Sequence, residues 1–262
     1  MKHRLEYLAV RLVSLFVSLL PMPLVRSIGG WVGKLTYAVD ATHRRTALEN
    51  LAAAFPGKSA TEHRALARAM FAHFGSLLLE LLKFGTYSPE QMLASVEIEG
   101  EERARLAQQE GRGILFFTGH FGYWEVQAIV HALRGYPVSV LARPLDNPLL
   151  HDWLERIRTR TGAQVIYRHG AVRKMLRELA SNHGIAVLID QHLQSDAVYV
   201  DFFQRPAATT SAVAALALRT GAAVIPVFAL PLPGGRYRLI YEHPVEPPDA
   251  DDPDPKIGRA HI

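Results

Sequence analysis

The chain has 262 residues, of which 49% are hydrophobic and 21% charged, with a formal net charge of +4. That length supports one large α/β domain or two small ones, and the composition excludes a disordered chain. The absence of cysteine removes disulfides, thiolate zinc sites and a cysteine nucleophile, while the positive excess suits phosphate-bearing partners such as nucleic acid, anionic lipid or an acidic carrier protein.

The N-terminus, "MKHRLEYLAVRLVSLFVSLLPMPLVRSIGGWVGKLTYAV", is mostly apolar over residues 8–20. Arg11 interrupts that run and Pro21 and Pro23 end it. A spanning helix needs roughly 20 apolar residues, so the run falls short unless it continues through the prolines. A secretory signal fits poorly, because Glu6 and Arg11 lie within the run and no small-x-small cleavage site follows. A single span would keep the basic start "MKHR" on the cytoplasmic side. An interfacial helix pair would let Arg11, Arg26 and Lys34 reach headgroups. A soluble helix packed on the domain is the fourth reading. Residues 1–40 are thus expected to form a hydrophobic, membrane-associating segment.

Next, "DATHRRTALENLAAAFPGKS" predicts a helix from Arg44–Arg45 to the stop signal Phe55-Pro56-Gly57. "SATEHRALARAMFAHFGSLLLELLKF" predicts a second helix, capped by Ser59 or Thr61. Leu66, Met70, Phe74, Leu77, Leu78 and Leu81 follow its period. From about residue 96 short strands alternate with helices. The strands are "VEIEG", "GILFFTG", "PVSVLAR", "AQVIYR", "IAVLIDQ", "AAVIPVFALPL" and "RYRLIYEHPV", with helices of crossover length between most of them. This predicts an α/β domain over residues 41–245, built on a largely parallel mixed sheet flanked by helices. The proline- and aspartate-rich residues 246–262 are expected to be an irregular tail.

Ligands in open α/β sheets bind beyond the carboxyl ends of the strands. Three predicted strands end in polar groups: Thr118-Gly119-His120, Arg143-Pro144 followed by Asp146 and Asn147, and Asp190-Gln191-His192. In "GHFGYWEV", His120 and Glu125 are five residues apart, and on one straight helix they would point about 140° from each other. They can meet only if His120 sits in the loop before the helix and folds back over its first turn, a bend that Gly119 and Gly122 allow. A carboxylate on one imidazole nitrogen fixes the tautomer and leaves the other nitrogen as a base. The competing reading is a helix-capping histidine and a solvent-facing glutamate. Metal binding has less support, since His-Glu-x-x-His is absent. His131, His151, His169, His183 and His192 are scattered and read as surface or packing residues. No Gly-x-Ser-x-Gly elbow and no phosphate-binding P-loop occur, and nucleic-acid binding has only the net charge in its favour.

The ordered blocks "HRRTALENLAAAFP", "GHFGYWE", "ARPLDNP", "GIAVLIDQ" and "VDFFQRPAATTSAVAALALRTGAAVIPVF" resemble the lipid A biosynthesis acyltransferases, the lauroyl/myristoyl transferases of Gram-negative bacteria. The resemblance runs from about residue 5 to 245. It implies a glycerolipid acyltransferase-like fold on the cytoplasmic face of the inner membrane, with no cofactor and no metal. The implied partners are an acyl carrier protein as thioester donor, a phosphorylated glycolipid acceptor and inner-membrane lipid, with no role for nucleic acid. The family's His-x4-Asp/Glu motif matches His120 and Glu125, which implies His120 as general base oriented by Glu125. Without a cysteine nucleophile, direct transfer in a ternary complex is the simpler route. Backbone N–H groups near Gly122 are expected to stabilise the oxyanion, and Arg143 and Arg205 to hold acceptor phosphate. Structural ion pairs with Asp146 and Asp201 are the alternative for the two arginines. Asn147 and Asp190 complete the expected substrate site, with Asp190 as catalytic support or a strand-end turn residue. The superfamily also includes phosphatidylinositol mannoside acyltransferases, so the acceptor stays open. The same residues are compatible with a non-catalytic lipid-binding member, or with a hydrolase that passes the acyl group to water. Family members usually continue past the last strand into a helical segment with tryptophans and paired arginines. Here the sequence reads "PKIGRAHI", and the expectation is a truncated or short variant.

Overall fold

The computed structural model describes residues 1–167, 170–191 and 197–246. His169, His192 and the expected tail from residue 247 onward lie outside these. The chain divides into two compact units, residues 1–88 with 200–207, and residues 89–199 with 208–262. The two helices that come after residue 40 therefore group with the N-terminal segment.

The first unit is helical. Helices α1 (Lys2–Ser18) and α2 (Met22–Val39) are separated at Pro21, which is extended (φ −67°, ψ 147°) and starts α2 with a second proline in its first turn, where a missing N–H costs nothing. Asp40 caps α3 (Ala41–Ala54) by accepting from the His43 N–H at 3.0 Å. Ser59 and Glu62 form a reciprocal capping box at the start of α4 (Ala60–Phe84), as the Ser59 signal predicts.

Helices α2 and α4 pack antiparallel, because Gly29 faces Gly75 while Gly33 faces Phe71 and Ala72. Backbones approach so closely that a Cβ on Gly33 would lie 2.0 Å from the Phe71 carbonyl oxygen, and one on Gly75 would lie 2.3 Å from that of Gly29. Only glycine fits either position. One turn away, Arg26 grips Glu80 with two contacts of 3.1 Å, and Glu80 is only 3% exposed.

The second unit holds a seven-stranded sheet in the order β1-β9-β8-β2-β5-β3-β4. Its strands are β1 (Val96–Glu99), β2 (Ile114–Thr118), β3 (Val138–Ala142), β4 (Gln164–Tyr167), β5 (Gly184–Leu188), β8 (Ala223–Pro231) and β9 (Tyr237–Tyr241). All neighbours are parallel except β8 and β9, so the largely parallel mixed sheet is present with all seven predicted strands. A short helix, α5 (Pro89–Ala94), precedes β1, and α6 (Glu101–Gln109) leads into β2. Helices α7 (Glu125–Leu133) and α8 (Pro148–Thr159) contact each other on one side of the sheet. On the other side α9 (Ala171–Ala180) and α10 (Ala212–Thr220) build a core in which Leu115, Ile185, Val187, Met175, Leu179 and Leu216 are buried. Every residue of β2 is buried, as expected of a central parallel strand covered on both faces.

A two-stranded sheet, β6 (Ala197–Phe202) with β7 (Arg205–Thr210), was not legible in the sequence. Its two-residue turn holds Phe203 (φ 51°) and Gln204 (φ 60°) in the left-handed region. Such turns favour Asn-Gly, and neither turn residue announces one. Left-handed backbone costs a residue with a Cβ about 1–2 kcal/mol. Gln204→Gly is therefore expected to raise the free energy of unfolding by up to about 1 kcal/mol, measured by denaturant titration. No gain would mean that the Gln204 side chain compensates its own strain.

His131, expected at the surface or in packing, is completely buried. It stacks on Phe116 at 4.4 Å, with Tyr241 at 5.2 Å, and neither ring nitrogen has a hydrogen-bond partner. Burial pushes its pKa down to about 3. The unfolded chain then binds a proton near pH 6.5 that the folded protein does not, so stability falls as pH drops from 6.5 toward 3. Between pH 6.5 and 4.5 this one group is expected to remove about 2–3 kcal/mol. His131→Phe should flatten that part of the pH–stability curve, and an unchanged slope would assign acid sensitivity to other groups.

Candidate active site

The site begins where β2 ends. Parallel pairing sets Thr118 opposite Leu188, and the Ile189 N–H donates to the Thr118 carbonyl at 3.0 Å. Two residues beyond that pair on each chain, His120 lies beside Asp190. The His120 backbone N–H donates to Asp190 Oδ2 at 2.6 Å, and its Nδ1 lies 2.9 Å from Asp190 Oδ1. A carboxylate accepts, so in the neutral ring it holds the proton on Nδ1 and leaves Nε2 as the acceptor. The imidazole is 35% exposed, with the Trp124 ring edge-on at 4.9 Å. Gly119 makes room for this pairing: a Cβ there would lie 2.9 Å from Asp190 Oδ2.

The loop after His120 is tied to β8. Gly122 has φ +60° and forms a bridge to Ala229, whose carbonyl oxygen would lie 2.1 Å from a Cβ on that glycine. The Tyr123 N–H donates to the same oxygen at 2.7 Å. Of the N–H groups near Gly122, that of Tyr123 is thus engaged by the sheet. Gln127, buried in α7, bridges Thr118 Oγ1 (3.3 Å) and the Val227 carbonyl (3.1 Å), which fixes the helix against the end of β2 and the middle of β8.

His120 does lie in the loop ahead of α7, yet it does not fold back onto Glu125. Glu125 is the first residue of α7, where the helix dipole favours a carboxylate. It accepts two hydrogen bonds from Arg158 of α8, from Nε at 2.9 Å and from Nη2 at 2.5 Å. Both side chains are largely buried, at 15% and 17% exposure. Burial works against the Arg158 charge, and the Glu125 hydrogen bonds together with the negative charge of Glu125 and its neighbours outweigh it, leaving the guanidinium pKa raised. The carboxylate on His120 Nδ1 is thus Asp190, not Glu125. Register delivers Asp190 to the imidazole, while Arg158 draws Glu125 away.

Arg143 comes after β3 on the same carboxyl edge of the sheet. It is highly exposed and pairs loosely with exposed Asp146 at 3.6 Å, a contact worth little in water. Asn147, expected to touch substrate, is buried as the N-cap of α8, its oxygen accepting from the N–H groups of Leu149 and Leu150 at 3.0 and 3.4 Å. Its amide oxygen is therefore structural, because the helix start needs an acceptor. Arg205 is exposed at the start of β7 and belongs to the helical unit. Arg158 is the site residue that sequence reasoning missed. It lies 33 positions from Glu125, and only its last-turn place in a predicted helix marked it.

The fold is of the α/β class, with an accessible imidazole at the carboxyl edge of its parallel strands, where such sheets bind ligands. A family model described as bacterial lipid A biosynthesis acyltransferase matches residues 2–257, and the chain belongs to that family of O-acyltransferases. Among its relatives, the lipid A biosynthesis lauroyltransferase of Escherichia coli K12 is 29% identical over 96% of this chain and 82% of its own length. The lipid A biosynthesis myristoyltransferase of the same organism is 25% identical over 88% of this chain and 71% of its own. A phosphatidylinositol mannoside acyltransferase of Mycolicibacterium smegmatis is 24% identical over 62% of this chain and 55% of its own.

Removing one partner of a buried ion pair strands the other charge, at a cost of about 3–5 kcal/mol. Arg158→Met is expected to destabilise the fold by about 3 kcal/mol, and the double variant Arg158→Met/Glu125→Leu to recover most of that loss. Denaturant melts of these two variants, of Glu125→Leu and of the unaltered protein test this. Additive losses in the double variant would mean that the two side chains act independently.

Proposed function

We propose that this enzyme moves a fatty acyl chain from an acyl carrier protein thioester to a hydroxyl of a lipid A precursor at the cytoplasmic face of the inner membrane. The observation that carries the chemistry is the His120–Asp190 pair, which leaves Nε2 of an accessible imidazole as a base. In this reading Nε2 takes the acceptor hydroxyl proton as the oxygen attacks the thioester carbonyl. The tetrahedral oxyanion rests on backbone N–H groups of the 121–122 turn. The intermediate collapses with departure of the carrier thiolate, which receives the proton from the imidazolium. Asp190 stabilises that imidazolium and keeps the ring oriented. Glu125 serves as a positioning residue, since with Arg158 it ties the start of α7 to α8 and holds the loop that carries His120.

Arg143, with a weakly held guanidinium, is the proposed phosphate contact for the acceptor, and Arg205 is a second candidate. Residues 1–40 are proposed to hold the enzyme on the membrane, where a basic chain is drawn to anionic lipid and to an acidic carrier. The similarity to a phosphatidylinositol mannoside acyltransferase keeps a different phosphoglycolipid as the alternative acceptor.

The test incubates membranes bearing the full chain with acyl carrier protein thioester and a lipid A precursor, and reads lipid masses. One added acyl chain is expected. His120→Ala should lower turnover at least a hundredfold and Asp190→Asn at least tenfold, both with an unchanged fold. More than a tenth of normal turnover in His120→Ala would remove His120 as the base. Acylation of a phosphatidylinositol mannoside alone would select the other acceptor.

A further inference from the structure

The helical unit buries Met22, Val25, Leu77, Leu82 and Phe84, yet leaves apolar faces of three helices exposed. Helix α1 buries Ser14 and Val17, while Leu5, Leu8, Leu12, Leu15 and Leu19 stay exposed on one face. Helix α2 buries Gly29 and Gly33 against α4 and exposes Leu24, Trp31, Leu35 and Val39, again at helical spacing. On α4 the stripe Leu66, Met70, Phe74 and Leu78 is exposed, although its period reads as a core face. Meanwhile the charged residues Arg26 and Glu80 satisfy each other in the interior of the unit. Apolar side chains outside, glycines at the helix contact and an ion pair inside are the packing rules of helices in lipid, where burying leucine against leucine brings no gain. Helix α4 is also long and apolar enough to cross a membrane by length and composition.

We infer that α2 and α4 together form a lipid-embedded pair lying in the plane of an anionic membrane, with Trp31, Leu35, Phe74 and Leu78 among the acyl chains of one leaflet. The inference rests on the membrane association proposed above and extends it to α4, beyond the first 40 residues. Two features favour the bilayer over a protein partner and the plane over a span. Residues 1–88 carry eleven Lys and Arg against five Asp and Glu, a net +6 when the whole chain carries +4, which matches acidic headgroups. Helix α4 also exposes Arg64 and Arg68, on the side away from its apolar stripe. A spanning α4, about 38 Å long, would carry Arg68 into the hydrocarbon, whereas one lying in the interface leaves both arginines at the headgroups.

The absence of native cysteine makes the test direct. Single variants Leu35→Cys, Phe74→Cys and Leu12→Cys of the full chain carry a spin label, with Leu106→Cys on α6 as an aqueous control. Vesicles of phosphatidylethanolamine and phosphatidylglycerol are added, and label depth is measured by power saturation. Labels at 35 and 74 are expected roughly 5–10 Å below the headgroups and the label at 106 in water. Phosphatidylcholine vesicles should bind at least tenfold more weakly. If the label at 12 enters lipid while that at 74 stays in water, the inference fails and the membrane association of residues 1–40 stands. If no label enters lipid and the chain does not bind vesicles, both fail. A label at 74 near the bilayer centre would make α4 a span, and shielding of 74 that grows with protein concentration without lipid would make the face a contact between two copies. Each of these outcomes overturns the in-plane arrangement. As a second arm, Phe74→Glu/Leu78→Glu, with helicity retained, should weaken vesicle binding at least tenfold.

Discussion

The burial of β2 governs the rest of the sheet unit. Five consecutive buried residues can satisfy their backbone groups only between two other strands, since an edge would leave N–H and C=O groups unpaired away from water. Strands β5 and β8 supply those partners in parallel register. Parallel pairing with both neighbours places all three strand ends on one edge. The chain beyond β2 must then leave the sheet at the point where the chain beyond β5 also leaves it. His120 and Asp190 meet for that reason, 70 residues apart in sequence and two residues beyond a register pair.

The loop between His120 and α7 has little freedom left. It is bridged to Ala229 through a glycine that no other residue could replace without a backbone clash, and α7 is held by Gln127 and by the Glu125–Arg158 pair. These contacts place one imidazole by fixing the backbone on either side of it. Preorganisation of this kind is what general-base chemistry needs, because a ring free to rotate would lose both tautomer and direction.

The helical unit obeys a different solvent logic. In the sheet unit, large apolar residues turn inward and helices cover them. In the helical unit α2 and α4 meet through glycines and an ion pair, and, beside buried Val25, Leu77, Leu82 and Phe84, many large apolar residues face outward. One periodicity therefore has opposite meanings in the two halves of the chain. The period of α9 marks a protein core, whereas that of α4 marks an outer face.

Alternation of short apolar runs with helical patterns was enough to predict seven strands, their crossover helices and a mixed, largely parallel sheet, because period and turn chemistry are local properties. The ordered blocks around His120 and Asp190 were likewise enough to point to the acyltransferase family. Partner choice was not legible. His120 takes Asp190 and not Glu125, Glu125 takes Arg158, and Asn147 turns to its own helix. The hairpin of β6 and β7 also escaped, since its turn residues are held left-handed against their own preference. Spacing along a chain says which side chains share a face. Which face meets which, and whether water, protein or lipid lies beyond it, is set by strand order, register and close packing among residues tens of positions apart, and these exist only once the tertiary structure has formed.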